Sequence, residues 1–337
     1  MVRFTLPGRL SGTKSRGSLA RAGARDRPSS RYLTVMSAQS PDRAAPPPPS
    51  ASPLIGILLM LGAVAIIPVM DATAKLLSER FHTVQLVWAR YFFHLILFLP
   101  FGLWRHGTRI LRPGRPVLQV VRSTLLMLST GLFFVAIALM PLADALAVVF
   151  IYPFIITALA PVVLGERVGI WRWGAVAVGF LGTLIIIRPG LGAISPGVPF
   201  ALAAGSVYAC YVLSTRKLAG VDPPLVTLAF TGLVGAAVST VLLPFFWVMP
   251  EAGDWPLMLI MGLCAALGHF GIILAHEKAT AAQLAPIGYS EIVSASILGY
   301  LYFGDFPDAV TWLGIAIVVA SGVVISVRET RRSRLKA

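Results

Sequence analysis

The stretch FFVAIALMPLADALAVVFIY at residues 133–152 has a diverged second copy, FGIILAHEKATAAQLAPIGY, at residues 270–289. Identical residues recur at one constant offset of 137 residues, in the pairs Phe133/Phe270, Ala138/Ala275, Ala145/Ala282 and Tyr152/Tyr289. After two small insertions the match resumes, and pairs Gly165-Glu166 with Gly304-Asp305, Gly174 with Gly314 and Gly182 with Gly322. Chance resemblance between two apolar helices seldom keeps aromatic residues in one ungapped register. The sequence therefore predicts an internal duplication.

Most of the chain is too apolar to face water. Charged residues make up 12% of its 337 residues, against roughly 25% in soluble domains, and the mean hydropathy is +0.81. Apolar runs of about 20 residues, the length of helix that crosses the hydrocarbon core of a bilayer, recur along it. They lie near residues 54–74, 84–103, 118–139, 143–164, 171–188, 197–215, 224–247, 256–275, 281–303 and 309–327. None shows the alternation of an outer-membrane barrel strand, so we predict an all-α membrane protein with ten transmembrane helices.

The duplication divides these ten spans into two repeats of five. We predict that the first repeat occupies residues 54–190 and the second residues 197–327. Because five is an odd number, the second repeat must cross the membrane in the direction opposite to the first. Inverted repeats of this kind are the architecture of many alternating-access transporters.

The charges of the loops predict the orientation. Arg105, Arg109, Arg112 and Arg115 lie between spans 2 and 3, and the C-terminal segment 328–337 is also basic. The alternate loops are poor in base: residues 140–142 have none, and residues 248–255 carry only acids. Cytoplasmic loops carry the excess of Lys and Arg, so we predict that both termini, including the basic tail, are cytoplasmic.

The first 53 residues differ from the rest. Residues 1–35 hold eight Lys or Arg and a single acid, Asp26, and residues 41–53 are rich in Pro, Ala and Ser. Neither stretch can bury a core, so we predict a disordered segment, basic and then proline-rich. Two interpretations remain: an organelle-type transit peptide, or an upstream segment before a true start at Met36, which we favour. This basic charge is not evidence for nucleic-acid binding, and no nucleic-acid partner is predicted.

Polar residues deep in the spans are the candidates for a substrate or coupling site, because they cost several kcal/mol in lipid unless they face the interior of the bundle. Glu291 lies about ten residues into span 9 and follows Ser290 in a run with Pro286 and Gly288 that loosens the helix. We interpret Glu291 as a substrate-binding or proton-carrying carboxylate; the alternative is a protonated acid bonded to a neighbouring helix.

Tyrosines form the second group of candidates. Tyr152, followed by Pro153, is the repeat partner of Tyr289, and the two are expected to face each other across the pseudo-two-fold axis. Tyr208 and Tyr211 in span 6 are three residues apart and share a helix face. Each tyrosine suits a polar or aromatic ligand, or simply bonds a backbone carbonyl.

Ionisable residues in spans 1, 2 and 8 complete the candidates. His269 in span 8 can relay protons, pair with Glu291, or be a neutral core histidine. Asp71 and Lys75 in span 1 are four residues apart and can form an ordinary helix ion pair. Arg90 and His94 share a face of span 2, where Arg90 is near enough to the outer boundary to extend toward it.

No catalytic chemistry is predicted. The segment His276-Glu277-Lys278 lacks the second histidine of a zinc motif, and neither a phosphate-binding loop nor a nucleophile elbow occurs. Cys210 and Cys264 lie inside predicted spans and are interpreted as packing residues. We therefore expect no enzyme activity, no catalytic residue, no metal and no cofactor.

The chain resembles the EamA-type transporters of the drug/metabolite transporter superfamily. The resemblance rests on the two repeats, the Leu164 to Arg167 ending of span 4 (LGER), its counterpart Phe303 to Asp305 (FGD), and the segments 70–75 (MDATAK) and 87–93 (VWARYFF), which look like a bacterial branch. It implies a ten-helix bundle in the inner membrane with a central cavity lined mainly by spans 1, 3, 4, 6, 8 and 9. That layout favours Tyr152, Tyr208, His269 and Glu291 and places span 2 at the periphery. Family members often have a proline near the middle of span 9, where this chain has Ser290-Glu291.

Members that resemble this chain move amino acids, S-adenosylmethionine, riboflavin or other small metabolites. Because aromatic residues line the expected cavity, riboflavin uptake is our leading specific hypothesis. The alternatives are amino-acid or S-adenosylmethionine transport, metabolite export, and, in another class, a lipid scramblase or a receptor without flux. The expected partners are a small-molecule substrate and the lipid bilayer, and a homodimer is left open.

Overall fold

The computed structural model describes residues 53–165, 169–188, 194–218, 221–279 and 281–334. Across these ranges the chain forms twelve α-helices and no strand. The helices are α1 (Pro53–Leu77), α2 (Thr83–His106), α3 (Pro116–Leu139), α4 (Leu142–Val149), α5 (Tyr152–Leu164), α6 (Ile170–Ile187), α7 (Val198–Leu218), α8 (Pro224–Leu242), α9 (Asp254–Lys278), α10 (Ala281–Gly288), α11 (Glu291–Phe303) and α12 (Ala309–Arg334). The prediction of an all-α fold is confirmed. The N-terminal segment 1–52, Glu166, Arg167 and residues 335–337 lie outside the described ranges.

Ten apolar helical segments correspond to the ten predicted spans. Seven are long and apolar enough to cross a membrane by length and composition, one of them being α4 and α5 taken together. Three shorter ones, Trp173–Ile187, Glu291–Phe303 and Ala309–Val324, belong to α6, α11 and α12. Five spans in each repeat make the second repeat inverted relative to the first.

Spans 4 and 9 are each broken near the middle. In span 4 the break separates α4 from α5, and Pro153 just after it has no N–H to bond the carbonyl of Val149. That carbonyl lies only 2.7 Å from where a Cβ on Gly205 of α7 would be, so glycine is required there. In span 9 the hydroxyl of Ser290 donates to the carbonyl of Ile287 at 2.6 Å and caps the end of α10.

The repeated Gly-acid motif marks where these broken spans end. Gly165 terminates α5 with φ +68°, and Gly304 terminates α11 with φ +71°. Both lie in the left-handed region, which glycine adopts without steric cost and which commonly ends a helix. The duplicated sequence therefore encodes a duplicated helix stop.

Helices α6 and α12, the last span of each repeat, pack directly on one another. A Cβ on Gly314 would lie 2.8 Å from the carbonyl oxygen of Gly182, and a Cβ on Gly182 would lie 3.0 Å from that of Gly314. Small residues allow this backbone approach in a membrane, where dispersion rather than hydrophobic burial holds helices together. Because α6 and α12 pack on each other, the other spans enclose the centre of the bundle.

Candidate functional site

A cavity of about 140 Å³ lies at the centre of the bundle, next to the break in span 4 and the start of α11. Side chains from both repeats line it, which is what a site between inverted halves requires. Its walls come from α1, α2, α3, α4, α5, α7, α9 and α11. The lining residues are Ile67, Met70, Asp71, Arg90, Leu126, Ser129, Thr130, Phe133, Phe134, Leu146, Val149, Phe150, Tyr152, Tyr208, His269, Ile272 and Glu291.

Arg90 supplies the cation of the cavity. It is 4% exposed, its Nη1 donates to Thr130 Oγ1 at 2.8 Å, and its Nε donates to the sulfur of Met70 at 3.2 Å. Its Nη2 lies 3.0 Å from His269 Nε2. Because a guanidinium has donors only, His269 Nε2 must accept this bond, which fixes the imidazole as the Nδ1–H tautomer.

Asp71 and Glu291 supply two carboxylates to the same cavity. Asp71 is 2% exposed, and its Oδ1 has no hydrogen-bond partner in the described part of the chain. Glu291 is the first residue of α11, so the helix break delivers it to the cavity. The cavity therefore contains one guanidinium, one imidazole and two carboxylates.

Aromatic rings form a continuous wall that extends out of the cavity. The rings of Tyr152 and Tyr208 meet edge to face with centroids 4.9 Å apart, and Tyr208 lies 5.3 Å from Tyr211. On the other side Phe150 lies 5.7 Å from Tyr152 and 5.1 Å from Tyr289. Rings in these orientations offer both faces and edges to a planar ligand.

The Arg122 cluster holds the repeats together beyond Tyr211. Arg122 in α3 donates to Tyr211 at 2.9 Å, Thr215 at 2.8 Å and Thr231 at 2.7 Å, all in the second repeat. One turn earlier, Gln119 donates to Asp222 at 3.0 Å. Arg122 is 5% exposed and makes no ion pair with any described residue, so its charge is satisfied by neutral oxygens alone.

The Lys75 cluster joins the repeats at the opposite end of the bundle. Lys75 Nζ donates to the carbonyls of Ile137 and Met140 at the end of α3 and lies 3.7 Å from Asp305 in the second repeat. Arg122 and Ile137 are about 22 Å apart along α3, at 1.5 Å per residue. The two clusters therefore lie on opposite sides of the cavity.

Further inter-repeat contacts surround Lys75. Arg80 pairs with Glu251 at 2.6 Å and with Asp254 at 3.1 Å, and Arg188 pairs with Asp308. The Arg188 guanidinium, and then the backbone N–H of Thr311, hold the pKa of Asp308 below its ordinary value. The contact with Arg188 therefore favours the charged form of Asp308.

Five of the predicted site residues come together in the cavity: Glu291, Tyr152, Tyr208, His269 and Asp71. Three do not. Tyr211 bonds Arg122, Ser290 caps α10, and Tyr289 is 9% exposed and packs on Phe150. Phe150 contacts the rings of both Tyr152 and its repeat partner Tyr289, so it links the two tyrosines.

Two expectations about ionisable residues are wrong, and for His269 the structure selects among the roles that were considered. Asp71 and Lys75 do not form a helix ion pair, because Lys75 points to α3 and Asp305 while Asp71 faces the cavity. His269 pairs with Arg90, whereas pairing with Glu291 was one of its expected roles. Arg90 turns inward from span 2 and is not peripheral.

His94, one turn after Arg90, is also buried, at 3% exposed. It lies outside the cavity against Phe98, and its Nε2 has no partner among the described residues.

A central cavity between inverted five-span repeats, with separate contacts on either side of it, defines a membrane transporter of the drug/metabolite type. The profile of the EamA-like transporter family matches residues 54–188 and again 195–327, and the chain belongs to this family.

Two named bacterial transporters are similar to the chain over most of its length. The chain is 27% identical to an S-adenosylmethionine uptake transporter of Rickettsia prowazekii (strain Madrid E) over 82% of this chain and 94% of that one. It is 28% identical to a riboflavin transporter of Rhizobium johnstonii over 84% and 95%. It is also similar to a crystal structure of another protein with a TM-score of 0.60 at 20% identity, over 84% of this chain and 99% of that one, a likeness that shows the fold alone.

Proposed function

We propose that this protein is a secondary transporter that exposes its central cavity alternately to the two sides of the bacterial inner membrane. The observation that carries the proposal is the placement of the cavity between two sets of inter-repeat contacts, the Lys75 cluster and the Arg122 cluster. Opening one set while the other stays closed would admit a solute from one side only.

The loop charges supply an orientation for the cycle. With both termini cytoplasmic, the Arg122 cluster closes the cytoplasmic side and the Lys75 cluster the outer side. The bases at the ends of α2 and α7, among them Arg105 and Arg216, then lie in the cytoplasm. Reporter fusions at the C-terminus and within residues 248–255 test this assignment, and a cytoplasmic signal from residues 248–255 would contradict it.

Two substrates fit the aromatic wall of the cavity. Riboflavin has a planar ring system that would stack on Tyr152 and Tyr208, and S-adenosylmethionine has an adenine ring that would do the same. Each of the two substrates is also supported by the name of a similar transporter. S-Adenosylmethionine gains further support from the two carboxylates and the guanidinium in the cavity, since it also carries charges of both signs.

Uptake into proteoliposomes tests the proposal. Purified protein is reconstituted, and entry of labelled riboflavin and of labelled S-adenosylmethionine is followed with and without a proton gradient. We expect saturable uptake of one of them, inhibited by the unlabelled compound. Binding without uptake would favour a receptor, and lipid flip-flop without solute uptake would favour a scramblase.

A further inference from the structure

Two opposite charges face the same cavity without pairing. Asp71 and Arg90 are 2% and 4% exposed, yet no ion pair joins them in the described part of the chain, and Asp71 Oδ1 has no hydrogen-bond partner. Leaving a buried charge uncompensated is costly, and a carboxylate and a guanidinium that share a cavity would ordinarily satisfy each other. Their separation leaves both groups available to a ligand in the cavity.

Arg90 retains unused donors. A guanidinium has five N–H groups, and the three nitrogens of Arg90 each make one bond, to Met70, Thr130 and His269. One N–H on Nη1 and one on Nη2 are left over. Among the described residues these two donors have no partner, and two donors are what a carboxylate accepts in the bidentate pairing for which arginine is preferred.

Three neighbouring side chains hold the Arg90 guanidinium in a position where it can bind a carboxylate. The Tyr91 ring lies 4.5 Å from its carbon, Thr130 fixes one nitrogen and the neutral His269 fixes another. None of the three carries a negative charge, so none neutralises Arg90. The site is held rigid while its charge remains available.

We propose that Asp71 and Arg90 form a two-pole clamp for a zwitterion: Arg90 binds a carboxylate of the substrate, and Asp71 binds its ammonium or sulfonium group. The proposal rests on the transport function above and names the substrate class as α-amino acids with a ring-bearing or extended side chain. The ring packs on Tyr152 and Tyr208, and Glu291 stays free of the clamp. S-Adenosylmethionine has every one of these groups, whereas riboflavin has neither charge.

Matched ligands test the clamp in the unmodified protein. S-Adenosylmethionine is compared with its decarboxylated form, and phenylalanine with phenethylamine, which lacks the carboxylate, and with 3-phenylpropionate, which lacks the amine. Binding to purified protein is measured by calorimetry, and uptake into proteoliposomes in parallel. We expect removal of either charge to weaken binding by about tenfold or more, since charged hydrogen bonds are involved. An analogue that binds as tightly as its zwitterion would overturn the clamp.

Substitutions of Arg90 and Asp71 test which residue binds which charged group of the ligand. In Arg90→Gln the preference for the carboxylate should disappear while the preference for the amine remains, and Asp71→Asn should show the reverse. Arg105→Gln, an exposed arginine at the other end of α2, is the matched control and should keep both preferences. If Arg90→Gln does not fold, Arg90→Lys, which retains the charge, is measured in its place. The comparison of matched ligands in the unmodified protein then decides whether the clamp exists.

The outcomes separate the clamp from the transport function. Zwitterion-selective binding without uptake supports the clamp and overturns transport. Uptake of riboflavin with no preference for zwitterions overturns the clamp and leaves transport intact. Failure of every zwitterion to bind the unmodified protein also overturns the clamp.

Discussion

Glu291 begins α11 at the break in span 9 and brings a second carboxylate into the cavity that holds Asp71. A carboxylate that the substrate clamp does not use is suited to carry a proton through the cycle. We predict that Glu291→Gln, which preserves shape, abolishes concentrative uptake driven by a pH gradient while the protein remains folded. Uptake by reconstituted protein, with and without the gradient, measures this.

The control for Glu291 is Glu79→Gln, which removes an exposed carboxylate near the end of α1. It should leave gradient-driven uptake near the level of the unmodified protein. Concentrative, pH-dependent uptake that persists unchanged in Glu291→Gln would refute the proposed coupling role.

Depth in a span predicted part of this site at the level of residues. Glu291 lies well inside its predicted span, so its short side chain must face the interior of the bundle. Asp71 lies near the outer end of the predicted span 1, and depth alone did not predict that it faces the cavity. Arg90 is different, because its long side chain can extend toward either the boundary or the centre. Its direction depends on Thr130 and His269, which are 40 and 179 residues away along the chain. Local sequence cannot supply that information.

At the scale of elements, Arg122 ties the start of α3 to α7 and α8 through neutral oxygens. Because several bonds depend on one side chain, we predict that Arg122→Gln loosens this side of the bundle. A single cysteine at Val149 in the cavity, with Cys210 and Cys264 replaced by alanine, should react several-fold faster with an impermeant thiol reagent applied from that side. Arg216→Gln, an exposed arginine near the end of α7, is the control. Equal labelling rates in Arg122→Gln and the control would contradict the role of Arg122.

The packing of α6 on α12 supplies a prediction about stability. Gly314 has no room for a side chain because the backbone of Gly182 lies too close, whereas its repeat partner Gly174 has nothing within 4 Å of an added Cβ. We predict that Gly314→Leu lowers the midpoint of thermal unfolding by several degrees, since overpacking costs about 1–3 kcal/mol. Gly174→Leu should leave it nearly unchanged. Equal effects of the two substitutions would show that this contact does not stabilise the bundle.

The membrane-spanning helices were largely predictable from the sequence, because the length and apolarity of a span are set by the bilayer. Ten apolar runs of membrane length predict the spans, and Pro286 and Gly288 predict a weakened span 9. Where each break falls was harder, because it depends on tertiary contacts such as that of the Val149 carbonyl with Gly205. Tyr289 illustrates the same limit: the repeat locates its position, but its hydroxyl lies against Gly322 of α12, and Tyr289 does not line the cavity.

At the scale of the whole molecule, the inverted repeats supply two sets of contacts that cannot both open without separating the halves. The Lys75 cluster depends on charges, with Lys75 beside Asp305 and Arg80 beside Glu251 and Asp254. The Arg122 cluster depends on a buried guanidinium and neutral oxygens. The two sides are related by the repeat but differ in chemistry, so salt should act on them unequally, weakening the exposed ion pairs more than the buried bonds.

This asymmetry leads to a prediction about access to the cavity. In the variant with one cysteine at Val149, an impermeant thiol reagent should label the cavity from each side of the membrane, because both conformations of the cycle are populated. High salt should raise labelling from the Lys75 side more than from the Arg122 side, since it screens the exposed pair of Arg80 and Glu251. A saturating substrate should change the ratio of the two rates, because it binds the two conformations unequally. Labelling from one side only, at every salt concentration and with or without substrate, would rule out alternating access and leave the bundle a binding protein open to a single compartment.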